Sequence, residues 1–204
     1  MSRSPLPDPV EAVTLDVGGV LTLPPVVELL AAHGLHPTPL EILVAHHTAV
    51  AVEDRLLATR SDAEDGLGPE RGAYHRAFAV AVGAGDDVAV VLAEDLHGLA
   101  RRELPWGLAA PWASETVAAL TSGGVPVAIV SNSDGTVEAQ LVEMAVCQVG
   151  PGPLPQVVCV VDSAVVGARK PDPAIFSPAL EALGSEPAQT VHVGDTVAFD
   201  VAAA

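Results

Sequence analysis

Three aspartates stand where short apolar stretches of the sequence end. Asp16 follows a Val-rich stretch near the start of the chain, Asp195 follows a similar stretch at 190–193, and Asp200 lies five residues further on. Carboxylate oxygens are the hard ligands that Mg²⁺ takes in small numbers while it keeps several waters. The three residues therefore predict a magnesium site, provided that the fold brings their segments together.

A hydroxyl group and a lysine stand at equivalent places. Ser131 and Asn132 follow the stretch at 125–130, and Lys170 lies between the stretch at 157–161 and the helical pattern after it. Ser131 and nearby backbone N–H groups can hold phosphate oxygens, and Lys170 supplies positive charge. Asp16 can then attack phosphorus as a nucleophile and form an aspartyl-phosphate, with a metal shielding the repulsion between the two anions. We predict Asp16, Ser131 and Lys170 as catalytic residues, and Asn132 and Gly19 as substrate-binding residues.

The elements that must position these residues alternate along the chain. The Val-rich stretches are short and bounded by turn residues, as expected for strands buried on both faces of a parallel sheet. Helical patterns lie between them at 113–121, 136–145 and 173–183. This alternation predicts an α/β fold with a Rossmann-like, doubly wound parallel sheet, whose ligands bind beyond the carboxyl ends of the strands.

A helical block interrupts the alternation directly after the first strand. Helical patterns cover 26–33, 39–58, 70–82 and 86–104, a solvated acidic loop covers 61–68, and no strand is predicted among them. We therefore predict a core formed by residues 10–23 and 111–204 and an inserted α-helical cap at 24–110. The cap is expected to lie over the mouth of the site as a lid.

Four segments resemble, in order and spacing, the motifs of the haloacid dehalogenase-like (HAD) hydrolase superfamily. They begin at Asp16, Ile129, Lys170 and His192, and read DVGGVL, IVSN, KPDPAIF and HVGDT through Asp200. The position of the helical block is similar to that of the type-one cap of subfamily I. The resemblance implies that Asp16 is the nucleophile, that Ser131 and Lys170 orient the phosphate, and that Asp195 binds Mg²⁺. It places Asp200 in the outer shell of the metal and makes the Gly18 carbonyl a further metal ligand.

The sequence departs from the family pattern at Gly18, where most phosphatases of the family carry a second Asp that acts as general acid and base. We weigh three interpretations: a weak or specialised Mg²⁺-dependent phosphatase of a small phosphorylated metabolite, a haloacid dehalogenase-type hydrolase, and a catalytically degraded binding or regulatory protein. Dehalogenases of the family have a non-acidic residue at this position, but C–Cl displacement needs no metal, so Asp195 and Asp200 favour the phosphatase. In a phosphatase without an acid at position 18, another group or water must transfer the proton to the leaving group. The histidines in or beside the cap are candidates for this role: His33, His36, His46, His47, His75 and His97.

Three histidines are interpreted structurally. His46 and His47 are neighbours on a helical pattern and point about 100° apart, so they cannot chelate one ion together and are expected to be solvated or half-buried. His192 lies inside the fourth strand and is expected to be a packed core residue rather than a base.

Composition excludes several partners. The 204 residues carry a formal charge of -17, and both nucleic acid and an anionic membrane repel a protein of such charge. Cys147 and Cys159 fit two reduced core thiols, and the N-terminal residues have no apolar signal-peptide region, so a cytoplasmic protein is expected. The sequence ends just after Asp200, which would leave the fourth strand as an uncovered sheet edge. A homodimer formed through that edge is therefore one expectation.

Overall fold

The computed structural model describes residues 9–58, 69–100 and 107–204. The acidic loop predicted at 61–68 and the end of the helix predicted at 86–104 lie outside these residues. In chain order, the strands are β1 (Ala12–Leu15), β2 (Thr22–Leu23), β3 (Leu108–Ala109), β4 (Val127–Ser131), β5 (Gln148–Val149), β6 (Gln156–Val157), β7 (Val160–Asp162) and β8 (Thr190–Val193). The α-helices are α1 (Val27–Ala32), α2 (Pro39–Leu57), α3 (Pro69–Ala81), α4 (Asp86–Ala100), α5 (Ala113–Ser122), α6 (Val137–Glu143), α7 (Ser163–Val166) and α8 (Ser177–Leu183).

A four-stranded parallel sheet with the order β7-β4-β1-β8 forms the centre of the first unit. Every residue of β1 and β4 is buried, because apolar side chains cover both faces of these strands. The prediction of an α/β fold with a Rossmann-like parallel sheet is confirmed. Since all four strands run in the same direction, the residues after β1, β4 and β8 emerge at one edge of the sheet.

The helical insertion follows β1 and β2 and forms most of the second unit. Contacts divide the chain into one unit of residues 1–22, 109–194 and 199–204, and another of residues 23–108 and 195–198. Helices α2, α3 and α4 pack together in the second unit, around buried side chains such as Ile42, Phe78 and Leu92. Thr38 and Glu41 form a capping box at the start of α2, which fixes where this helix begins. The prediction of a helical insertion is confirmed.

Two predicted elements differ in detail from those observed. The stretch predicted as one strand at 157–161 contributes to two short ladders, since Gln156–Val157 pairs with β5 and Val160–Asp162 pairs with β4. The helix predicted at 173–183 begins as a 3₁₀ turn at Pro173–Phe176 and continues as α8 from Ser177. Pro178 explains the break, because its ring nitrogen has no hydrogen to donate to the preceding turn.

Among the described residues, no helix is both long enough and apolar enough to cross a membrane.

Candidate active site

A buried lysine joins two of the predicted carboxylates in the first unit. Asp16 follows β1 directly, and its Oδ1 lies 2.9 Å from Lys170 Nζ. The same ammonium group donates to Asp200 Oδ1 at 2.5 Å. Lys170 and Asp200 are each only 2% exposed. A buried ammonium group requires compensating charge, and here Asp16 and Asp200 provide it at the carboxyl edge of the sheet.

Asn132 fixes the backbone of this lysine. Its side-chain Oδ1 accepts from Lys170 N at 2.8 Å, and its Nδ2 donates to Lys170 O at 2.9 Å. Ser131 is the last residue of β4, is buried, and stands opposite Asp162 of β7 in the strand register. The predicted second and third motifs are therefore adjacent, and both amide atoms of Asn132 hold the residue that carries the ammonium group.

The two glycines after Asp16 form a tight turn. Gly18 is buried and forms an isolated bridge with Thr22. Gly19 has a φ of 69°, in the left-handed region that glycine adopts without strain, and its N–H donates to Thr22 O at 2.9 Å. The backbone thus turns directly beyond the nucleophile candidate, while Gly18 offers no acidic side chain.

In the second unit, a histidine of α2 is bonded to the predicted metal ligand after β8. His46 Nε2 lies 2.7 Å from Asp195 Oδ2, and its Nδ1 lies 2.7 Å from the Tyr74 hydroxyl. Because a carboxylate can only accept, Nε2 donates to Asp195, and the Tyr74 hydroxyl provides a partner for Nδ1. His46 is 2% exposed, so the expectation of a solvated or half-buried His46–His47 pair is wrong for His46. The hydrogen bonds at both ring nitrogens explain how the imidazole is accommodated inside the helical unit.

Asp54 of α2 holds the segment that follows Asp195. Its Oδ2 accepts from Val197 N at 2.8 Å and its Oδ1 from Ala198 N at 3.0 Å. These two N–H groups open the π-helical turn at Val197–Val201, which carries Asp200. The carboxylate satisfies donors that a helix start leaves without intrahelical partners.

The donor set suits a divalent cation. Asp16, Asp195 and Asp200 can each provide one carboxylate oxygen to a metal ion. The three carboxylates and the single ammonium group of Lys170 together have a net charge of two negative units. Hard oxygen ligands and this charge fit Mg²⁺, which combines a few carboxylates with water. The acidic group Asp16, Asp195 and Asp200 can therefore bind a metal.

The model of the haloacid dehalogenase-like hydrolase family matches residues 10–204. The chain belongs to this family. As a haloacid dehalogenase-like hydrolase, it carries the four expected segments in the order that the sequence predicts, and the resemblance of its motifs to this superfamily is confirmed. Among curated proteins, none matches the chain.

Solved structures to which the chain is similar include phosphatases and dehalogenases. A HAD phosphatase from Thermococcus onnurineus is 22% identical, with a TM-score of 0.46 over 94% of this chain and 80% of its own. A 2-haloacid dehalogenase from Pseudomonas syringae is 23% identical, with a TM-score of 0.44 over 95% of this chain and 81% of its own. CbbY from Rhodobacter sphaeroides, in complex with phosphate, is 18% identical, with a TM-score of 0.39 over 90% and 76%.

Sequence reasoning did not assign His46 and Tyr74 to the surroundings of Asp195. Their contacts join residues separated by 28 and 149 positions, and no local pattern links such residues. One signal was present in α2, where His46 lies at helical spacing among the buried residues Ile42, Ala49 and Val50. A histidine on the apolar face of a helix needs polar partners inside the protein. This requirement could have identified His46 as a residue with buried hydrogen-bond partners.

Proposed function

We propose that this haloacid dehalogenase-like hydrolase is a Mg²⁺-dependent phosphatase of small phosphorylated metabolites that reacts through an aspartyl-phosphate at Asp16. The observation that carries the proposal is the position of the buried Lys170 Nζ, 2.9 Å from Asp16 Oδ1 at the edge of the sheet. A fixed ammonium group beside the attacking carboxylate neutralises charge on the incoming phosphoryl group. Without it, two anions would have to approach each other.

The candidate ligands for Mg²⁺ are Asp16, Asp195, Asp200 and the carbonyl group of Gly18. Bound there, the metal would supply Lewis-acid stabilisation of the phosphoryl oxygens. Asp16 attacks phosphorus, the bond between phosphorus and the leaving oxygen breaks, and the leaving oxygen takes a proton from water or from a nearby acid. Water then attacks the phosphorus of the aspartyl-phosphate, which releases inorganic phosphate and a proton and restores the carboxylate of Asp16. Ser131 and the ammonium group of Lys170 orient the phosphate oxygens.

A dehalogenase remains the second candidate because Gly18 is not acidic. In that reaction Asp16 attacks the carbon that carries the halogen, halide leaves, and water hydrolyses the resulting ester. No cation is needed for these steps, so the reaction gives no role to the acidic group Asp16, Asp195 and Asp200. Dependence on metal therefore separates the two activities.

The test uses acetyl phosphate and an aryl phosphate ester, each with and without Mg²⁺. Both substrates have good leaving groups and need little help from an acid. We expect Mg²⁺-dependent release of phosphate that falls at least ~10³-fold in Asp16→Asn and is unchanged in Asp87→Asn, which alters an exposed residue of α4. Trapping with hydroxylamine should modify Asp16 in the wild type, which mass spectrometry detects.

Two outcomes would contradict the proposal. Release of chloride from a 2-chloro acid without metal, together with inactivity on both phosphates, would establish the dehalogenase. Folded wild-type protein that binds phosphate but turns over neither substrate class would establish a binding protein instead.

A further inference from the structure

A row of buried polar groups crosses the sheet and ends at the proposed nucleophile. Thr14 of β1 stands opposite His192 of β8 in the strand register, and Thr14 Oγ1 lies 2.9 Å from His192 Nδ1. His192 Nε2 lies 3.0 Å from Asp200 Oδ1, which is the same oxygen that Lys170 Nζ contacts. Since Lys170 also contacts Asp16, the row is continuous from the interior of β1 to the reacting carboxylate.

The chemistry of the partners fixes the direction of each hydrogen bond. A carboxylate has no hydrogen to give, so Nε2 of His192 donates to Asp200. In the neutral ring Nδ1 then has only a lone pair, and the Thr14 hydroxyl donates to it. The Asp200 carboxylate thus favours the Nε2–H tautomer, and the Thr14 hydroxyl, which can donate as well as accept, complements this tautomer by donating to Nδ1.

The surroundings leave Asp200 and the imidazole little freedom. The ring of Phe176 stands edge-on to His192, with 4.8 Å between the ring centroids. A Cβ placed on Gly194 would overlap the side chain of Asp200, so this carboxylate packs directly over a glycine backbone. Thr14 and Asp200 are 1% and 2% exposed, respectively. Buried polar groups that are all hydrogen-bonded have few alternative arrangements.

We propose that Thr14 and His192 are positioning residues that fix Asp200 and, through it, hold the ammonium group of Lys170 against Asp16. They do not touch the reacting atoms. If the hydroxyl is lost, Nδ1 loses its donor and the imidazole is less well fixed, and with it Asp200 and Lys170. Hydrogen-bond partners one step away from a reacting or ligating group typically contribute 10–100-fold to activity or metal affinity.

A positioning role for His192 differs in its consequences from that of a packed core residue. A packed core residue could be replaced by another side chain of similar volume with only a loss of stability. A positioning residue must keep its donor, so substitutions that preserve the hydrogen bond should restore function even where the shape is imperfect.

The first test locates the hydrogen of the His192 ring by ¹⁵N nuclear magnetic resonance near neutral pH. We expect one tautomer, with hydrogen on Nε2 and none on Nδ1, and a displaced Nδ1 resonance in Thr14→Val, which keeps the volume but removes the donor to this nitrogen. Thr14→Ser should restore the wild-type Nδ1 resonance. A wild-type ring with hydrogen on Nδ1, or a Thr14→Val spectrum identical to that of the wild type, would overturn the proposal.

The second test rests on the proposed function and uses acetyl phosphate with Mg²⁺. We expect kcat to fall about 10-fold or more in Thr14→Val and His192→Leu, with KM little changed. Thr14→Ser and His192→Gln should recover most of it, because glutamine can place an amide donor near the position of Nε2. Equal losses in His192→Gln and His192→Leu would leave a packing role only and so reject the proposal. If the wild type does not turn over phosphate, the proposed function fails, whereas the tautomer measurement needs neither metal nor substrate and still decides this inference.

Discussion

At the scale of the residue, Gly18 limits what the site can do. Its φ is not among the positive values found for glycines of the chain, so the backbone conformation does not exclude a side chain there. We predict that Gly18→Asp raises kcat for an alkyl phosphate by about 10²-fold, because the poor leaving group needs a proton and an acid beside it can supply one. Steady-state kinetics on alkyl and aryl phosphates checks this, and the aryl ester should change little.

Gly18→Asn is the matched control, since it adds almost the same volume without an acidic proton. An equal gain in Gly18→Asn would show that the side chain acts by packing and not by proton transfer.

Cys147 gives the protein a defined response to alkaline pH. Burial raises the pKa of its thiol from 9.0 to about 11, and the Glu138 carboxylate adds to the rise. Between pH 9 and about 11 the unfolded chain loses this proton while the folded chain keeps it. The contribution of Cys147 to the free energy of unfolding is thus fully present below pH 9. It is lost as the pH rises, by up to about 1.4 kcal/mol per pH unit.

Urea unfolding near both ends of this window checks the prediction. Cys147→Ala should reduce the loss of unfolding free energy between them, even though it lowers stability at neutral pH. Cys159→Ala is the comparison, because that thiol is only half-buried and its pKa is raised by the same two causes. Parallel pH profiles for the wild type and Cys147→Ala would contradict the prediction.

The proximity of polar residues such as Asp16 and Lys170 was easier to predict from the sequence than their hydrogen bonds. Asp16 and Lys170 follow strand ends that must meet at one edge of a parallel sheet, so their proximity follows from the alternation of elements. The contacts of Thr14 and Tyr74 depend on register and on helix packing, which short sequence patterns do not encode. His192 was expected to be packed, and its side chain is 5% exposed, but its hydrogen bond to Thr14 follows only from the pairing of β1 with β8.

At the scale of the element, the Asp162 carboxylate accepts hydrogen bonds from the segments that follow β4 and β7. Its Oδ2 accepts from Gly135 N at 2.8 Å and Val137 N at 3.4 Å, and its Oδ1 accepts from Ala164 N at 2.9 Å. We predict that Asp162→Ala lowers the unfolding free energy by about 1–3 kcal/mol, because three N–H groups lose a buried acceptor. Chemical denaturation measures this change.

The control for Asp162 is another capping aspartate. Asp172 is exposed and accepts from one N–H group, that of Ala174, so Asp172→Ala should have the smaller effect. Equal losses in the two variants would show that the additional bonds of Asp162 do not contribute.

The elements themselves were predictable where they are long or strongly patterned. β8 has the predicted bounds. α2 begins at the predicted residue, because a proline and a capping box mark its start, and it ends one residue before the predicted end. Two-residue strands such as β2 and β5 are too short to show a period of any kind. Their ladders form because neighbouring segments already hold them side by side.

At the scale of the whole molecule, the formal charge of -17 acts on everything that approaches the protein. It attracts cations and repels phosphate esters at long range. Raising the ionic strength from about 0.01 M to about 0.1 M shortens the Debye length from about 30 Å to about 10 Å. We therefore predict opposite effects of salt on the two ligands: a weaker affinity for Mg²⁺ and a higher kcat/KM for an anionic phosphate at saturating Mg²⁺.

Calorimetric titration of Mg²⁺ and kinetics in tetramethylammonium chloride check both signs, since this bulky cation competes poorly for carboxylate ligands. A fall of kcat/KM with salt would mean that a local positive field around Lys170 dominates the encounter, contrary to the prediction.

The pairing between Asn132 and Lys170 has a consequence for how the family can be recombined. One side-chain amide matches the donor and acceptor of one backbone residue, as a neighbouring strand would, although the two positions lie 38 residues apart. A chimaera that grafts a foreign lysine loop onto this framework must therefore bring along, or already possess, an asparagine at the end of β4. The two segments form a single unit of exchange, and engineering that shuffles homologous sequences should place its crossovers outside the stretch from Asn132 to Lys170.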